Sequence, residues 1–308
     1  MMDRMYQVKR ESRSEFLSLR GWNYHLRVWG LPDPGRPPLV LVHGWMDVAA
    51  SWQFVVDALR EDRWIVAPDW RGFGLTRPEG PPVDSYWFPD YLADLDALLD
   101  HVAGQQTVDL VGHSMGGHIA TQYAGVRPQR VRRLVNLEGF GMPASRASQA
   151  PGRCAQWLDE IAALRRGESD LKDYDSPQGV SNRLRKTNPR LDEHKADWLA
   201  RQWAEPDGSG RWRIRGDAAH KVINPILFRV DETLEVLQRI EAPSLVVVAS
   251  DDSLSQWWKG KYTLEEFHQR MDRVPKLQRA TVANAGHMLH HDQPEALARL
   301  IEDFLAQG

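Results

Sequence analysis

A serine lies at the centre of the segment GHSMGG, residues 112–117. The segment follows an apolar run that predicts a strand and precedes residues 118–126, whose pattern predicts a helix. A serine on a tight strand-to-helix turn, a nucleophile elbow, presents its hydroxyl above the sheet, and small glycines avoid clashes there. The alternative is a glycine-rich helix start with a capping serine. Because both flanking patterns fit the elbow, Ser114 is the candidate nucleophile.

Two more motifs stand at predicted strand ends. The segment HGW, residues 43–45, closes an apolar run, and the backbone N–H of Trp45 could join that of Met115 in an oxyanion hole. The segment NAGH, residues 284–287, ends the last predicted strand. A lone histidine is more often a surface or satisfied core residue. The agreement of three strand-end motifs, with the histidine after the serine, favours His287 as the general base.

A metal centre and a nucleotide cofactor both lack support in the sequence. His290, His291 and Asp292 follow the candidate base closely, but no further ligand stands out at a suitable spacing. Neither a phosphate-binding loop nor a dinucleotide-binding glycine motif is present. We therefore expect no metal and no cofactor.

The elements that must position these residues alternate between strand and helix. Short apolar runs predict strands, many of them covered on both faces, at residues 39–42, 64–67, 108–111, 134–137, 245–249 and 277–282. Helical patterns occupy residues 52–60, 91–102, 118–126, 232–240 (with Asp231 as cap), 264–271 and 294–305. Residues 16–30 alternate and break at Gly21, which predicts an antiparallel hairpin. The expected fold is α/β, with a doubly wound, mostly parallel eight-stranded sheet that binds ligands at its carboxyl edge.

The alternation stops at residue 142 and resumes at residue 231. We expect residues 1–141 and 231–308 to form the core, and residues 142–230, the cap segment, to form an inserted helical lid. Trp45, Trp257 and Trp258 lie near strand ends. Four tryptophans of the cap segment either line an apolar or aromatic substrate pocket with them or pack the lid onto the core: Trp157, Trp198, Trp203 and Trp212.

Composition excludes several classes of protein. The 308 residues include 39 basic and 42 acidic side chains, and a net charge of −3 does not suit a partner of nucleic acid or anionic membranes. No apolar run reaches the ~18 residues that a membrane span needs. Cys154 is the only cysteine, so an intramolecular disulfide is impossible. With no secretory signal in the N-terminal residues, we expect a soluble, cytoplasmic protein whose oligomeric state stays open.

The chain resembles the α/β-hydrolase superfamily over residues 16–141 and 231–308. The resemblance rests on HGW, DWRGFG (residues 69–74), GHSMGG and NAGH. A serine in the elbow, where some branches have aspartate, argues against haloalkane dehalogenases and epoxide hydrolases. The cap segment is similar to that of the serine hydrolase-like proteins. The resemblance implies Ser114 as nucleophile, His287 as base, and Trp45 and Met115 as oxyanion donors.

The acidic member of the catalytic triad has three candidates. The superfamily usually carries the acid in a G-x-x-D pattern after the strand at 245–249, and Asp252 has that spacing with Ala249 in place of the glycine. The neighbouring Asp251 and the earlier Glu138, a position that some relatives use, remain alternatives. We expect Asp252 to hold the imidazole in one tautomer.

The function that these residues favour is a cofactor-free serine esterase. A Ser-His-Asp triad would cleave a small, apolar or aromatic carboxylic ester through an acyl-enzyme. A carbon–carbon bond hydrolase or a perhydrolase would use the same triad. A hydrolase-fold receptor that binds a small molecule with slow turnover is the alternative from another class.

Overall fold

A computed structural model describes residues 5–307, so both ends of the predicted core, residues 1–4 and 308, lie outside the described part. Its strands are Arg13–Leu19 (β1), Trp22–Trp29 (β2), Leu39–Val42 (β3), Ile65–Pro68 (β4), Arg77–Pro78 (β5), Val108–His113 (β6), Val131–Leu137 (β7), Asp173–Tyr174 (β8), Ala204–Pro206 (β9), Trp212–Ile214 (β10), Ser244–Ala249 (β11) and Leu277–Val282 (β12). Its α-helices are Gln53–Ala58 (α1), Phe88–Ala103 (α2), Met115–Val126 (α3), Ala150–Arg165 (α4), Pro177–Thr187 (α5), Glu193–Trp203 (α6), Val230–Leu237 (α7), Ser253–Trp258 (α8), Leu264–Met271 (α9), Leu289–Asp292 (α10) and Pro294–Leu305 (α11).

Within residues 5–307, eight strands form one continuous sheet in the order β1-β2-β4-β3-β6-β7-β11-β12, and β5 pairs with the side of β2. The first two strands form the antiparallel hairpin, and β2 runs antiparallel to β4. From β4 to β12 all neighbours are parallel. The predicted fold class is therefore confirmed.

Burial on both faces explains the continuous apolar runs. In β3, Val40 and Val42 point into one hydrophobic cluster, whereas Leu39 and Leu41 point into another. Helices α2, α3, α7 and α9 cover the first face, and α1 and α11 cover the second. A strand in this position needs apolar side chains at every residue, because successive side chains leave the sheet on opposite faces.

Several elements differ from the prediction. Asp231 does not cap α7: the helix begins at Val230, after Arg229, and Asp231 lies in its first turn. Helix α8 occupies residues Ser253–Trp258, where the sequence patterns predicted no helix. The cap segment holds α4, α5 and α6 as expected, but it also contains a small sheet in the order β8-β10-β9. Strands of two or three residues are too short to leave a visible alternation in the sequence.

None of the helices within residues 5–307 has the length and apolar character needed to cross a bilayer.

The loop after β4 is organised around a buried carboxylate, Asp69. Its Oδ2 accepts hydrogen bonds from Nδ1 of His25 at 2.7 Å and from the backbone N of Leu75 at 2.8 Å. Its Oδ1 accepts one from the backbone N of Ala49 at 2.7 Å. Burial raises the pKa of Asp69, but the hydrogen bond and charge of His25 outweigh it and hold the pKa below its usual value. Asp69 thus joins the hairpin to the loops at the carboxyl edge.

We expect Asp69→Asn to lower the free energy of unfolding by about 1–3 kcal/mol. Both carboxylate oxygens accept from N–H donors, so whichever position becomes the amide NH₂ faces another donor. Urea unfolding measures the change. Asp62→Asn is the control, because that side chain is 86% exposed in its pair with Arg10. Equal stability of the two variants would contradict the assignment.

Candidate active site

Ser114 lies on the turn between β6 and α3 and has a strained backbone, with φ 53° and ψ −118°. A positive φ is uncommon for a residue with a side chain and persists only where the surroundings enforce it. Here the Ser114 amide donates to the carbonyl of Leu137 at 2.8 Å, and its carbonyl accepts from the amide of His118 at 2.9 Å. The two bonds fix the turn between neighbouring strands.

The glycines of the elbow are required by close backbone approaches. A Cβ at Gly112 would come within 2.3 Å of the carbonyl oxygen of Gly116. A Cβ at Gly116 would come within 2.4 Å of the carbonyl oxygen of Val42. Because both obstacles are backbone atoms, no side-chain movement can relieve them. The serine and the end of β3 are therefore held close together.

Ser114, His287 and Glu138 form a continuous chain of hydrogen bonds. Nε2 of His287 lies 2.9 Å from Oγ of Ser114, and Nδ1 lies 3.2 Å from Oε2 of Glu138. A carboxylate can only accept, so Nδ1 carries the proton and Nε2 is left to accept from the serine hydroxyl. The other carboxylate oxygen of Glu138 accepts from the amide of Ala249 at 2.7 Å. Glu138 follows β7, is 2% exposed and has a φ of 55°.

The expected acid, Asp252, is not in this chain of hydrogen bonds, and that prediction is wrong. Asp252 caps helix α8: its carboxylate accepts from the backbone N of Ser255 at 2.9 Å and from its hydroxyl at 2.5 Å. Asp251 pairs with Nη1 of Arg190 at 2.8 Å. The chain turns into a helix after β11, and the first turn of a helix needs an acceptor for its free N–H groups.

A local signal for this outcome was present in the sequence. Asp252 precedes two serines at positions 253 and 255, a pattern that suits the cap of a helix. Glu138 stands directly after an apolar strand, as a residue aimed across the carboxyl edge should.

The two expected oxyanion donors belong to segments that adjoin Ser114. Met115 is the first residue of α3, so its N–H belongs to the free N-terminal amides of that helix. Trp45 follows Gly44, where a Cβ would stand 3.1 Å from Cβ of Ser114. Neither amide donates a backbone hydrogen bond to another group in residues 5–307. Their role as an oxyanion hole stays a prediction.

His113, a residue that the sequence reasoning did not single out, supports the base. Its Nε2 donates to the carbonyl oxygen of His287 at 2.8 Å. The side chain is buried, and burial followed by the neighbouring imidazoles of His290 and His287 holds the pKa of His113 well below its usual value. A neutral ring therefore connects the residue before Ser114 to the backbone of His287, the candidate base.

The four cap-segment tryptophans contact protein groups. Trp198 packs against the ring of Phe54 with centroids 5.7 Å apart, and Trp203 and Trp212 belong to the same cluster. Trp157 meets the edge of Trp87 at 6.1 Å. These contacts are those of packing residues, and a substrate-lining role stays a prediction. Trp257 of α8 stands edge-on to the ring of His287, with centroids 4.3 Å apart.

In the structure, the histidines near the C-terminus that were considered as metal ligands, His290 and His291, lie beside Asp47. Asp47, His290 and His291 are all buried, and their ligand-type atoms lie within 4.8 Å of one another. Asp292 instead accepts from the amide of Gly286 at 2.9 Å and from Asn188 at 2.7 Å. Asp47 could not be found from the sequence, because it stands 243 residues before His290.

Comparison with known proteins identifies relatives along nearly the whole chain. A serine hydrolase-like protein of Danio rerio is 29% identical over 316 residues, covering 96% of this chain and 89% of that protein. A pyrrolizixenacetamide deacetylase of Xenorhabdus hominickii is 28% identical over 281 residues, with 89% and 92% covered. The thioesterase domain from the curacin biosynthetic pathway superposes with a TM-score of 0.80 at 26% identity, covering 95% of this chain and 99% of that domain.

These relatives are named as hydrolases, which confirms the expectation of a hydrolase, and the first confirms the resemblance to serine hydrolase-like proteins. The family described as the alpha/beta hydrolase fold matches residues 37–294. That range holds the parallel strands, the serine elbow and the histidine loop. The chain therefore belongs to the α/β hydrolase family.

Proposed function

We propose that this protein is a serine hydrolase of carboxylic esters with a Ser-His-Glu triad. The observation that carries the proposal is the unbroken path of hydrogen bonds from Oγ of Ser114 through His287 to the buried Glu138. A nucleophile, a base within hydrogen-bond reach and a group that orients the base are the parts that covalent acyl transfer needs.

Each residue has a defined step. Oγ of Ser114 attacks the ester carbonyl while Nε2 of His287 takes the hydroxyl proton. Glu138 holds Nδ1–H and stabilises the imidazolium that forms. The amides of Trp45 and Met115 bind the oxyanion. The imidazolium returns the proton to the departing alcohol, which leaves an acyl-enzyme, and water activated by the same base releases the acid.

The substrate class follows from exposed aromatic surface beside this path. Trp45 and Trp257 are 53% and 50% exposed, although large aromatic side chains gain from burial. One carries a proposed oxyanion amide, and the other contacts His287. An apolar or aromatic acyl or alcohol group would cover both rings. The cap segment, through Trp203, would complete the enclosure.

We expect a fluorophosphonate probe to label Ser114, because the probe reacts with a serine activated by a base. Peptide mapping by mass spectrometry locates the adduct. Ser114→Ala should abolish labelling and hydrolysis of p-nitrophenyl esters, while the control Ser18→Ala, at an exposed serine on β1, retains both. Labelling elsewhere, or cleavage of β-diketones but not esters, would contradict the proposal, as would tight ligand binding with background turnover.

The acid is tested with isosteric amides. Glu138→Gln should lower kcat by about 10²–10⁴-fold, because it removes the charge that favours the imidazolium. Asp252→Asn is the matched control and should retain kcat within a few fold, since an amide oxygen can still cap α8. Steady-state kinetics on one p-nitrophenyl ester compare them. An active Glu138→Gln beside a crippled Asp252→Asn would restore the original assignment.

Trp257→Ala should lower kcat/KM for esters with an aromatic acyl group more than for acetate esters, by about 10-fold in the ratio. The expected loss is the stacking surface next to His287. Phe16→Ala is the control: that side chain is 54% exposed but stands on β1, four strands away from β6. A ratio that moves equally in both variants would exclude Trp257 from the substrate site.

A further inference from the structure

A buried carboxylate connects the proposed oxyanion loop to the cap segment. Asp47 stands two residues after Trp45 and is 3% exposed. Its Oδ1 accepts from the backbone N of Val48 at 2.9 Å, from the hydroxyl of Ser51, and from Nε1 of Trp203 at 3.0 Å. Trp203 is the last residue of α6, so one oxygen atom joins the loop after β3 to the cap segment.

The second oxygen of the same carboxylate faces the loop that carries the base. Oδ2 of Asp47 lies 3.6 Å from Nε2 of His290, which is 1% exposed. Oδ2 has no hydrogen-bond partner within residues 5–307. Burial raises the pKa of Asp47, but its contacts with His290, His291 and His43 hold the pKa far below its usual value. A buried carboxylate that stays ionised needs compensating hydrogen bonds or charge, and Nε2 of His290 lies beside its unbonded oxygen.

The contacts continue from His290 to the catalytic histidine. The rings of His290 and His113 have centroids 4.2 Å apart. His113 in turn donates to the backbone carbonyl of His287 at 2.8 Å. A continuous and buried set of contacts therefore runs from the indole of Trp203 through Asp47 and both histidines to the backbone of the base.

Two arrangements suit the cluster of Asp47, His290 and His291: a direct pair between Asp47 and His290, or a bound metal ion. A tetrahedral ion with bonds of about 2.0–2.1 Å holds its ligand atoms about 3.3 Å apart. The ligand-type atoms of Asp47, His290 and His291 all lie within 4.8 Å of one another. The separation of 3.6 Å between Asp47 and His290 is within the range of a direct ion pair.

We propose that Asp47 is a positioning residue. Through its pair with His290, it couples the position of the Trp203 side chain to the positions of His287 and the Trp45 amide. The inference rests on the proposed function, since it concerns the geometry of the same base and oxyanion hole. In this account the cap segment does more than cover the site: its contact with Asp47 sets the catalytic geometry. Loss of that contact lowers kcat even for an ester too small to touch the cap segment.

The test uses p-nitrophenyl acetate and two conservative substitutions. Trp203→Phe removes the indole N–H but keeps an aromatic ring, and we expect kcat to fall 3–10-fold with KM changed less than 2-fold. Asp47→Asn removes the charge and should lower kcat 10–100-fold. Trp29→Phe is the matched control, because it removes a buried indole N–H that donates to Gln53 at 3.2 Å in the core. Its kcat should stay within 2-fold of the wild type.

The double variant distinguishes coupling between Trp203 and Asp47 from a general loss of rigidity in the protein. If Trp203 acts through Asp47, adding Trp203→Phe to Asp47→Asn should lower kcat no further. Multiplying effects, or equal losses in Trp203→Phe and Trp29→Phe, would overturn the proposal. Urea unfolding of each variant identifies an Asp47→Asn protein that does not fold, in which case the comparison of Trp203→Phe with Trp29→Phe decides.

Two further controls make the outcomes distinct. Activity of the wild-type protein should be unchanged after dialysis against EDTA. A loss restored by Zn²⁺ would overturn the ion pair in favour of a metal site. Failure of fluorophosphonate to label Ser114 in the wild type would refute the proposed function itself, whereas normal labelling with an unaffected Trp203→Phe refutes only the coupling.

Discussion

The hydrogen bond between His287 and Glu138 depends on how three parallel strands end side by side. Strands β3, β6 and β7 are consecutive in the sheet. Ser114 and Glu138 directly follow β6 and β7, Met46 lies four residues after the end of β3, and all three have a positive φ. This backbone conformation turns a side chain or an amide across the sheet edge, and it costs roughly 1–3 kcal/mol at each position. The cost is sustained because the strands below are buried on both faces and cannot shift.

Several buried polar groups at the same edge have hydrogen-bond partners. Glu138 bonds to Ala249 and His287, Asp69 to three N–H donors, and His113 to the carbonyl of the base. In a site with low dielectric constant, such fixed groups stabilise developing charge more strongly than water does, because they need not reorient during reaction. The rigid sheet therefore holds the polar groups at its edge in fixed positions.

The sequence was sufficient for the sheet, and it singled out Ser114 and His287, which the fold brings within hydrogen-bond distance. Apolar runs report burial on both faces, and Ser114 and His287 stand in motifs whose flanking elements can be checked locally. It was not sufficient for the acid, because β7 and β11 are adjacent and either strand end can reach the imidazole. The decision depends on the path of the chain after β11, where Asp252 enters a helix. Asp47 lay beyond sequence reasoning, since its partner His290 is brought near only by the fold.

The position of the proposed acid, Glu138, directly after β7 has a consequence for how this chain can change over evolution. Under the proposed mechanism, the segment after β11 need not supply a carboxylate, and it forms α8, with Trp257 against the ring of His287. Insertions or exchanges between β11 and α9 would alter the wall beside His287 while leaving Ser114, His287 and Glu138 in place. Changes in this stretch could then alter substrate specificity without altering the proposed catalytic residues. We expect sequence differences among relatives with the same acid to concentrate there.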